Sequence, residues 1–257
     1  MKIALYQMQV VYGDKEKNLQ SLHEWLEAHS VEADMLVLPE MFLTGFFVDA
    51  LELADEMNGA AWNQLQQWSW SYKIAIVGSL MIRDEEGKYF NRAFFFNPSG
   101  EVTVYDKHHL FRMGQEGRLF TSGDKRVVVS YMGWNILLQI CYDLRFPVYS
   151  RVINNDYDMI LYVASWPKSR IEAWRTMLMS RAIENEAYVC GVNAVGEDSG
   201  GHPQGGCSMA IDMKGKVKVE LSAETEEYKV VEVQMSDLQD FRTKFPVWKD
   251  ADQFVLK

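Results

Sequence analysis

The sequence predicts an α/β protein, and two observations carry that expectation. Short apolar, strand-like runs recur along the whole chain, and segments with apolar residues at helical spacing lie between them. Turn residues punctuate the alternation at Glu86-Gly87, Pro98-Ser99-Gly100 and Met132-Gly133. No linker, low-complexity tract or short repeat interrupts the 257 residues, so one domain over 1–257 is expected.

Lys2 to Gln9 opens the chain as a strand, with Ile3 and Leu5 facing a core. Asp14 is placed to cap a helix in which Leu19, Leu22, Trp25 and Leu26 share a face. Met35 to Leu38 is a continuous apolar run of the kind a buried strand shows, ended by Pro39. A second helix follows from about Ala60 to Tyr72, because Leu65, Trp68 and Tyr72 fall on one side. Ile74 to Ile82, Tyr89 to Asn97 and Glu101 to Tyr105 then read as strands. In the second half, Val127 to Tyr131 and Asn135 to Ile140 are strands about a turn. Pro147 suits the first turn of a helix reaching about Asn155. Met159 to Ala164 is a buried strand and Ile171 to Ala187 a long amphipathic helix. Strands near Tyr188 to Val195, Cys207 to Asp212 and Tyr228 to Val233 precede a short C-terminal helix.

The composition narrows the function classes. Hydrophobic residues at 48% and charged residues at 24% are ordinary for a globular protein with a sizeable core. A formal net charge of −10 lacks the basic face of a nucleic-acid binder and argues against an anionic membrane surface. No run approaches the ~20 apolar residues that span a bilayer. The opening residues lack the apolar stretch and cleavage site of a signal peptide. Cys141, Cys190 and Cys207 form neither an even framework nor a Cys-x-x-Cys pair, which suits a reducing, cytoplasmic compartment.

Cys141 ends the apolar run Ile136 to Ile140, and Arg145-Phe146-Pro147 leads toward the next helix. A thiol at such a junction is either ordinary core or a nucleophile on a sharp turn. Nearby backbone N–H groups and a helix start would favour its thiolate and hold an oxyanion. A free thiol with a pKa of about 8.5 is only a few per cent ionised at neutral pH, so a nucleophile here needs a base or a cation. Glu40, after Pro39 and among Met41, Phe42, Leu43, Phe46 and Phe47, is the base candidate; desolvation there would raise its pKa. It could equally cap the following turn. Lys107 sits at the end of a strand, where an ammonium can reach a cleft, although most lysines are solvated. Glu116 is unremarkable by itself. His108 and His109 are adjacent and make a poor ligand pair, and no zinc-site spacing, phosphate loop or Gly-x-Ser-x-Gly elbow is present.

Taken together, these segments resemble the nitrilase, or carbon–nitrogen hydrolase, superfamily. Leu38-Pro39-Glu40-Met41-Phe42 with Thr44-Gly45-Phe46 is similar to its glutamate motif. Asp106 to Phe111 is similar to its lysine motif, and Cys141 to Pro147 to its cysteine motif. Gln115-Glu116 through Ser122-Gly123-Asp124 resembles the segment carrying the family's second glutamate. Ala164-Ser165-Trp166-Pro167, Arg181 to Asn185 and Lys244-Phe245-Pro246 resemble bacterial members of the omega-amidase branch.

The resemblance implies a four-layer α–β–β–α sandwich and catalytic roles for Glu40, Lys107, Cys141 and Glu116. It implies two-step acyl transfer through a thioester with no metal or organic cofactor, a small-molecule amide substrate with water, and a homodimer or larger assembly. Tyr142 would add its backbone N–H to the oxyanion site. Arg145 is the candidate anchor for a substrate carboxylate, and Trp166 a pocket wall; a structural ion pair and core packing are their plainer readings. The branch implies hydrolysis of the side-chain amide of 2-oxoglutaramate. Nitrile, N-carbamoyl or other amide hydrolysis stays open within the superfamily, as do a papain-like Cys–His hydrolase and a non-catalytic scaffold outside it.

Overall fold

The computed structural model describes residues 1–46, 50–198, 200–252 and 255. Its first half contributes β1 (Lys2–Gln7), α1 (Lys15–His29), β2 (Met35–Val37), β3 (Asp55–Glu56), α2 (Ala60–Tyr72), β4 (Ala75–Arg83), β5 (Tyr89–Phe96) and β6 (Val102–Asp106). The second half contributes α3 (Glu116–Leu119), β7 (Val128–Tyr131), β8 (Trp134–Ile140), α4 (Pro147–Ser150), β9 (Met159–Ala164) and α5 (Ile171–Asn185). It closes with β10 (Tyr188–Asn193), β11 (Met209–Ile211), β12 (Val217–Glu220), β13 (Glu227–Glu232) and α6 (Met235–Lys244).

The strands form two sheets. One runs β13-β1-β2-β4-β5-β6 with β3 beside β4, and the other runs β12-β11-β10-β9-β8-β7. Each has a parallel centre, β1-β2-β4 in the first and β8-β9-β10 in the second, flanked by antiparallel strands. The period-two alternation of side chains decides the layers. Ile3, Leu5, Val37 and Val77 of the first sheet meet Ile136, Leu138, Leu161 and Val163 of the second in one core between the sheets. Ala4, Leu36 and Ile76 point the other way, onto Leu22, Trp25 and Leu26 of α1 and Trp62 and Leu65 of α2. Leu137, Ile160 and Val189 point outward onto Trp174, Leu178 and Ala182 of α5. The result is the expected α–β–β–α sandwich, in which each fully buried Leu, Ile or Val contributes about 1.5–3 kcal/mol. Among the described residues, no helix is long and apolar enough to cross a membrane.

The local signals explain most boundaries. Asp14 caps α1 by accepting the Lys17 N–H at 2.9 Å. α5 ends at Glu186, which adopts a left-handed conformation at φ +46°. Three expectations change. The helix begun by Pro147 stops at Ser150, because the Asn185 side chain takes the Val152 N–H and Asn154 and Asn155 turn left-handed. The strand expected from Cys207 begins at Met209, since Cys207 itself sits at φ +53°. Edge strand β12, with only Val217 and Val219 to mark it, gave too short a pattern to separate from a loop.

Candidate active site

Glu40, Lys107 and Cys141 each lie just past the carboxyl end of a strand, β2, β6 and β8 respectively. That end is where open α/β sheets place their ligands. Glu40 joins the two sheets there. Its backbone N–H donates to the Ala164 carbonyl at 3.4 Å. The Ser165 hydroxyl donates to the Glu40 carbonyl at 3.1 Å, and the Ser165 N–H donates to Glu40 Oε2 at 2.8 Å.

The charged groups converge behind the thiol. Lys107 Nζ donates to Glu40 Oε1 at 2.7 Å and to Glu116 Oε1 and Oε2 at 3.0 and 2.9 Å. The Phe111 N–H donates to Glu116 Oε2 at 2.6 Å, so the short helix α3 swings its carboxylate inward instead of into solvent. All three side chains are removed from water. Glu40 is therefore not left among the apolar neighbours that surround it in sequence, because donors meet both of its oxygens. Burial by itself pulls the Lys107 pKa down, yet Glu116, Glu40 and Cys141 outweigh it and hold it above the ordinary lysine value. Burial raises the pKa of Glu116, with Lys107 opposing and Glu40 reinforcing the shift.

Cys141 opens the 3₁₀ turn Cys141–Arg145 with φ at +45°, a left-handed geometry that costs a non-glycine residue about 1–2 kcal/mol. Asp143 holds the turn in place. Its buried carboxylate accepts the Ile140 N–H at 3.0 Å, the Tyr105 hydroxyl at 2.8 Å and the His109 N–H at 2.9 Å. The 3₁₀ turn starts at Cys141 itself, and α4 follows from Pro147. The Cys141 thiol donates to the Ser165 carbonyl at 4.0 Å, and burial first, then the Glu40 carboxylate, push its pKa well above the ordinary value despite Lys107.

A pocket enclosing about 520 Å³ of space not filled by protein atoms, open solvent at its mouth included, covers Lys107 and Cys141. Tyr142, Arg145 and Trp166 line it as expected. Phe46 also lines it, 5.3 Å from Lys107 Nζ by its ring centroid; Phe47 lies outside the described residues. The Arg145 guanidinium carbon stands 4.9 Å above the Trp166 ring and, among the described residues, makes no ion pair, which removes its plainer structural reading. Trp166 has both roles, packing on Trp174 at 5.6 Å between ring centroids while its other side faces the pocket. Arg170 and Gln204 complete the mouth, and Gln204 Oε1 is buried there without a protein partner.

The histidines are engaged elsewhere. His109 Nδ1 pairs with Asp143 at 2.8 Å, His108 Nδ1 with the Gly123 carbonyl at 2.7 Å and His202 Nδ1 with Asp198 at 3.0 Å. His23 and His29 pack with Tyr72 and Tyr228, in and beside the first helical layer. None stands against Cys141 as a papain-like pair requires.

Sequence reasoning missed Asn91 and Ser79. Asn91 Nδ2 donates to Glu40 Oε1 at 2.7 Å and to Glu116 Oε1 at 2.9 Å, and the Ser79 hydroxyl donates to Asn91 Oδ1 at 2.9 Å. The available signal was a small polar residue within a mostly apolar strand, Ser79 in β4 and Asn91, beside Arg92, in β5. Arg170 and Gln204 carried no comparable mark.

The double-sheet sandwich thus gathers a thiol, a lysine and two carboxylates around and behind one pocket. The Carbon-nitrogen hydrolase family model matches residues 2–243, and the chain belongs to that family. It is 41% identical over 257 residues to the omega-amidase YafV of Yersinia enterocolitica, covering 100% of this chain and 98% of the relative. It is 31% identical over 252 residues to the 2-oxoglutaramate amidase of Bacillus subtilis (strain 168), covering 96% of each. A solved CN-hydrolase superfamily protein from Xanthomonas campestris, with an arsenic adduct in its active site, superposes at a TM-score of 0.97 and 36% identity. That match covers 100% of this chain and 99% of the other.

Proposed function

We propose that residues 1–257 act as one catalytic domain, an omega-amidase that hydrolyses the side-chain amide of a small α-keto acid through a thioester on Cys141. The observation that carries the reading is Cys141 in a pocket together with Lys107, whose ammonium is held by the buried Glu40 and Glu116, with Arg145 in the pocket wall. The names of the Yersinia and Bacillus relatives support the substrate class.

Glu40 takes the thiol proton as sulfur attacks the amide carbon. A raised thiol pKa suits this order, because the proton leaves only when the new bond forms. Lys107 and the Tyr142 N–H face the developing oxyanion, and a well-placed donor is worth about 3–4 kcal/mol at this step. Glu40 returns the proton to nitrogen, ammonia leaves, and an acyl thioester remains. Water then gives a proton to Glu40 and its oxygen to the acyl carbon, releasing the carboxylic acid and restoring the thiol. Glu116 grips Lys107 with both oxygens and aims it. Arg145, stacked on Trp166, receives the far carboxylate by charge-assisted hydrogen bonds.

The test is ammonia release from 2-oxoglutaramate with glutamine as the comparison. Fast release from the keto acid amide alone is expected. Release from neither, by a folded enzyme whose Cys141 still reacts with iodoacetamide, would remove the omega-amidase reading and turn the search to nitriles, N-carbamoyl compounds and other amides.

A further inference from the structure

Glu40 and Glu116 face a single ammonium in a space closed to water, so with all three groups ionised the site holds one negative charge more than Lys107 balances. Buried carboxylates in that position tend to take up a proton, and the raised pKa of Glu116 shows the tendency. A base that already carries a proton cannot accept one from a thiol.

The surroundings oppose that outcome oxygen by oxygen. Glu116 Oε1 accepts from Lys107 and Asn91, and Glu116 Oε2 accepts from Lys107 and the Phe111 N–H. Glu40 Oε1 accepts from Lys107 and Asn91, and Glu40 Oε2 accepts the Ser165 N–H. A proton added to any of these oxygens would confront a fixed N–H. Asn91 is the neutral group that serves both carboxylates at once.

Its orientation is imposed. The Met41 N–H donates to Ser79 Oγ at 2.9 Å, so the Ser79 hydrogen is free to point at Asn91 Oδ1. The amide NH2 must then face the carboxylates. Met41 follows Glu40 in the chain and sits at φ +46°. The relay therefore starts at the peptide next to Glu40 and returns to the Glu40 side chain, a closed ring with Ser79 and Asn91 wholly buried.

We propose that Asn91, latched by Ser79, is a positioning residue that keeps Glu40 and Glu116 ionised on either side of Lys107, so that the Cys141 thiol is the group from which Glu40 takes a proton. The inference rests on the reading of Glu40 as the base. Among the described residues, the charged or titratable groups facing Glu40 are Lys107 beyond β6, Glu116 of α3 and Cys141 beyond β8. Removing the Asn91 donation weakens the ionised form of the base, so the acid limb of the rate profile moves to higher pH.

The experiment compares Ser79→Ala, Asn91→Ala, Asn91→Asp and Glu40→Gln with the parent enzyme. It measures kcat and KM for 2-oxoglutaramate against pH, and the pH dependence of Cys141 alkylation by iodoacetamide, which needs no substrate. Ser79→Ala and Asn91→Ala should move the acid limb up by about one pH unit and lower kcat about 10- to 100-fold, the weight of a hydrogen bond to a charged group, while KM holds. Asn91→Asp, which adds a third carboxylate, should move the limb further. Should Asn91→Ala fail to fold, Ser79→Ala, which removes one hydroxyl, decides. A parental acid limb in folded Ser79→Ala, with Glu40→Gln inactive and slow to alkylate, overturns the relay while sparing the base. Glu40→Gln that alkylates and turns over like the parent overturns the base assignment and the relay with it.

Discussion

The two sheets supply different chemistry to one pocket. The first sheet and the segments leaving it deliver Glu40, Asn91, Lys107 and Glu116, all buried. The second sheet delivers Cys141, Tyr142 and Arg145, which stay partly exposed at the pocket, and Trp166, whose indole forms its wall. The side that sets the electrostatics is dry, where charge interactions are strong, and the side that meets substrate is wet. Neither sheet holds a complete site, and the Ser165–Glu40 hydrogen bonds bring the halves together.

The sharpest way to break the wet side is Cys141→Ala. Turnover should fall on the order of 10⁴-fold or more, because the proposed acyl intermediate is built on this sulfur. Thermal unfolding should stay near that of the parent, since the side chain is only half-buried. Ammonia release beside a melting curve checks both, and a variant that keeps turning over would end the nucleophile assignment.

Lys107→Met strikes the dry side and should cost in two currencies. Turnover should drop about 10²- to 10³-fold for the lost oxyanion donor. Stability should drop by about 3–5 kcal/mol, since two buried carboxylates lose their counter-charge. Denaturant titration gives the second quantity and allows turnover to be expressed per folded molecule. A parental rate per folded molecule would reduce Lys107 to a clasp.

Arg145→Leu is the smallest of the three and tests the mouth. KM for 2-oxoglutaramate should rise about 10- to 100-fold, with kcat less affected. Hydrolysis of a simple aliphatic amide without the far carboxylate should not change. Equal losses on both substrates would mean that Arg145 steadies Trp166 and does not hold substrate.

Much of this could be read directly from residues. Periodicity marks the main strands and helices, because each buries one face or both. Asp14 announces its helix because a short acidic side chain satisfies an otherwise open N–H. Glu40, Lys107 and Cys141 stand out because each follows a strand end, and their motifs place them in order. Tyr142, Arg145 and Trp166 follow from their neighbours in the chain, and all three line the pocket.

Other features have no local signature. Burial raises the Cys141 pKa first, and Glu40, a hundred residues away in the chain, raises it further. Asn91 is one polar side chain in a strand until β4, β5 and the Glu40 turn close around it. Sequence by itself determined which residues form strands and helices and which reactive groups sit at their ends, since those depend on neighbours a few positions apart. Tertiary structure alone decided which charges share a dry space, which donors they meet and which arginines stack on aromatic rings at the pocket. Burial and hydrogen bonding across two docked sheets are properties of distance in space, and the linear order does not contain them.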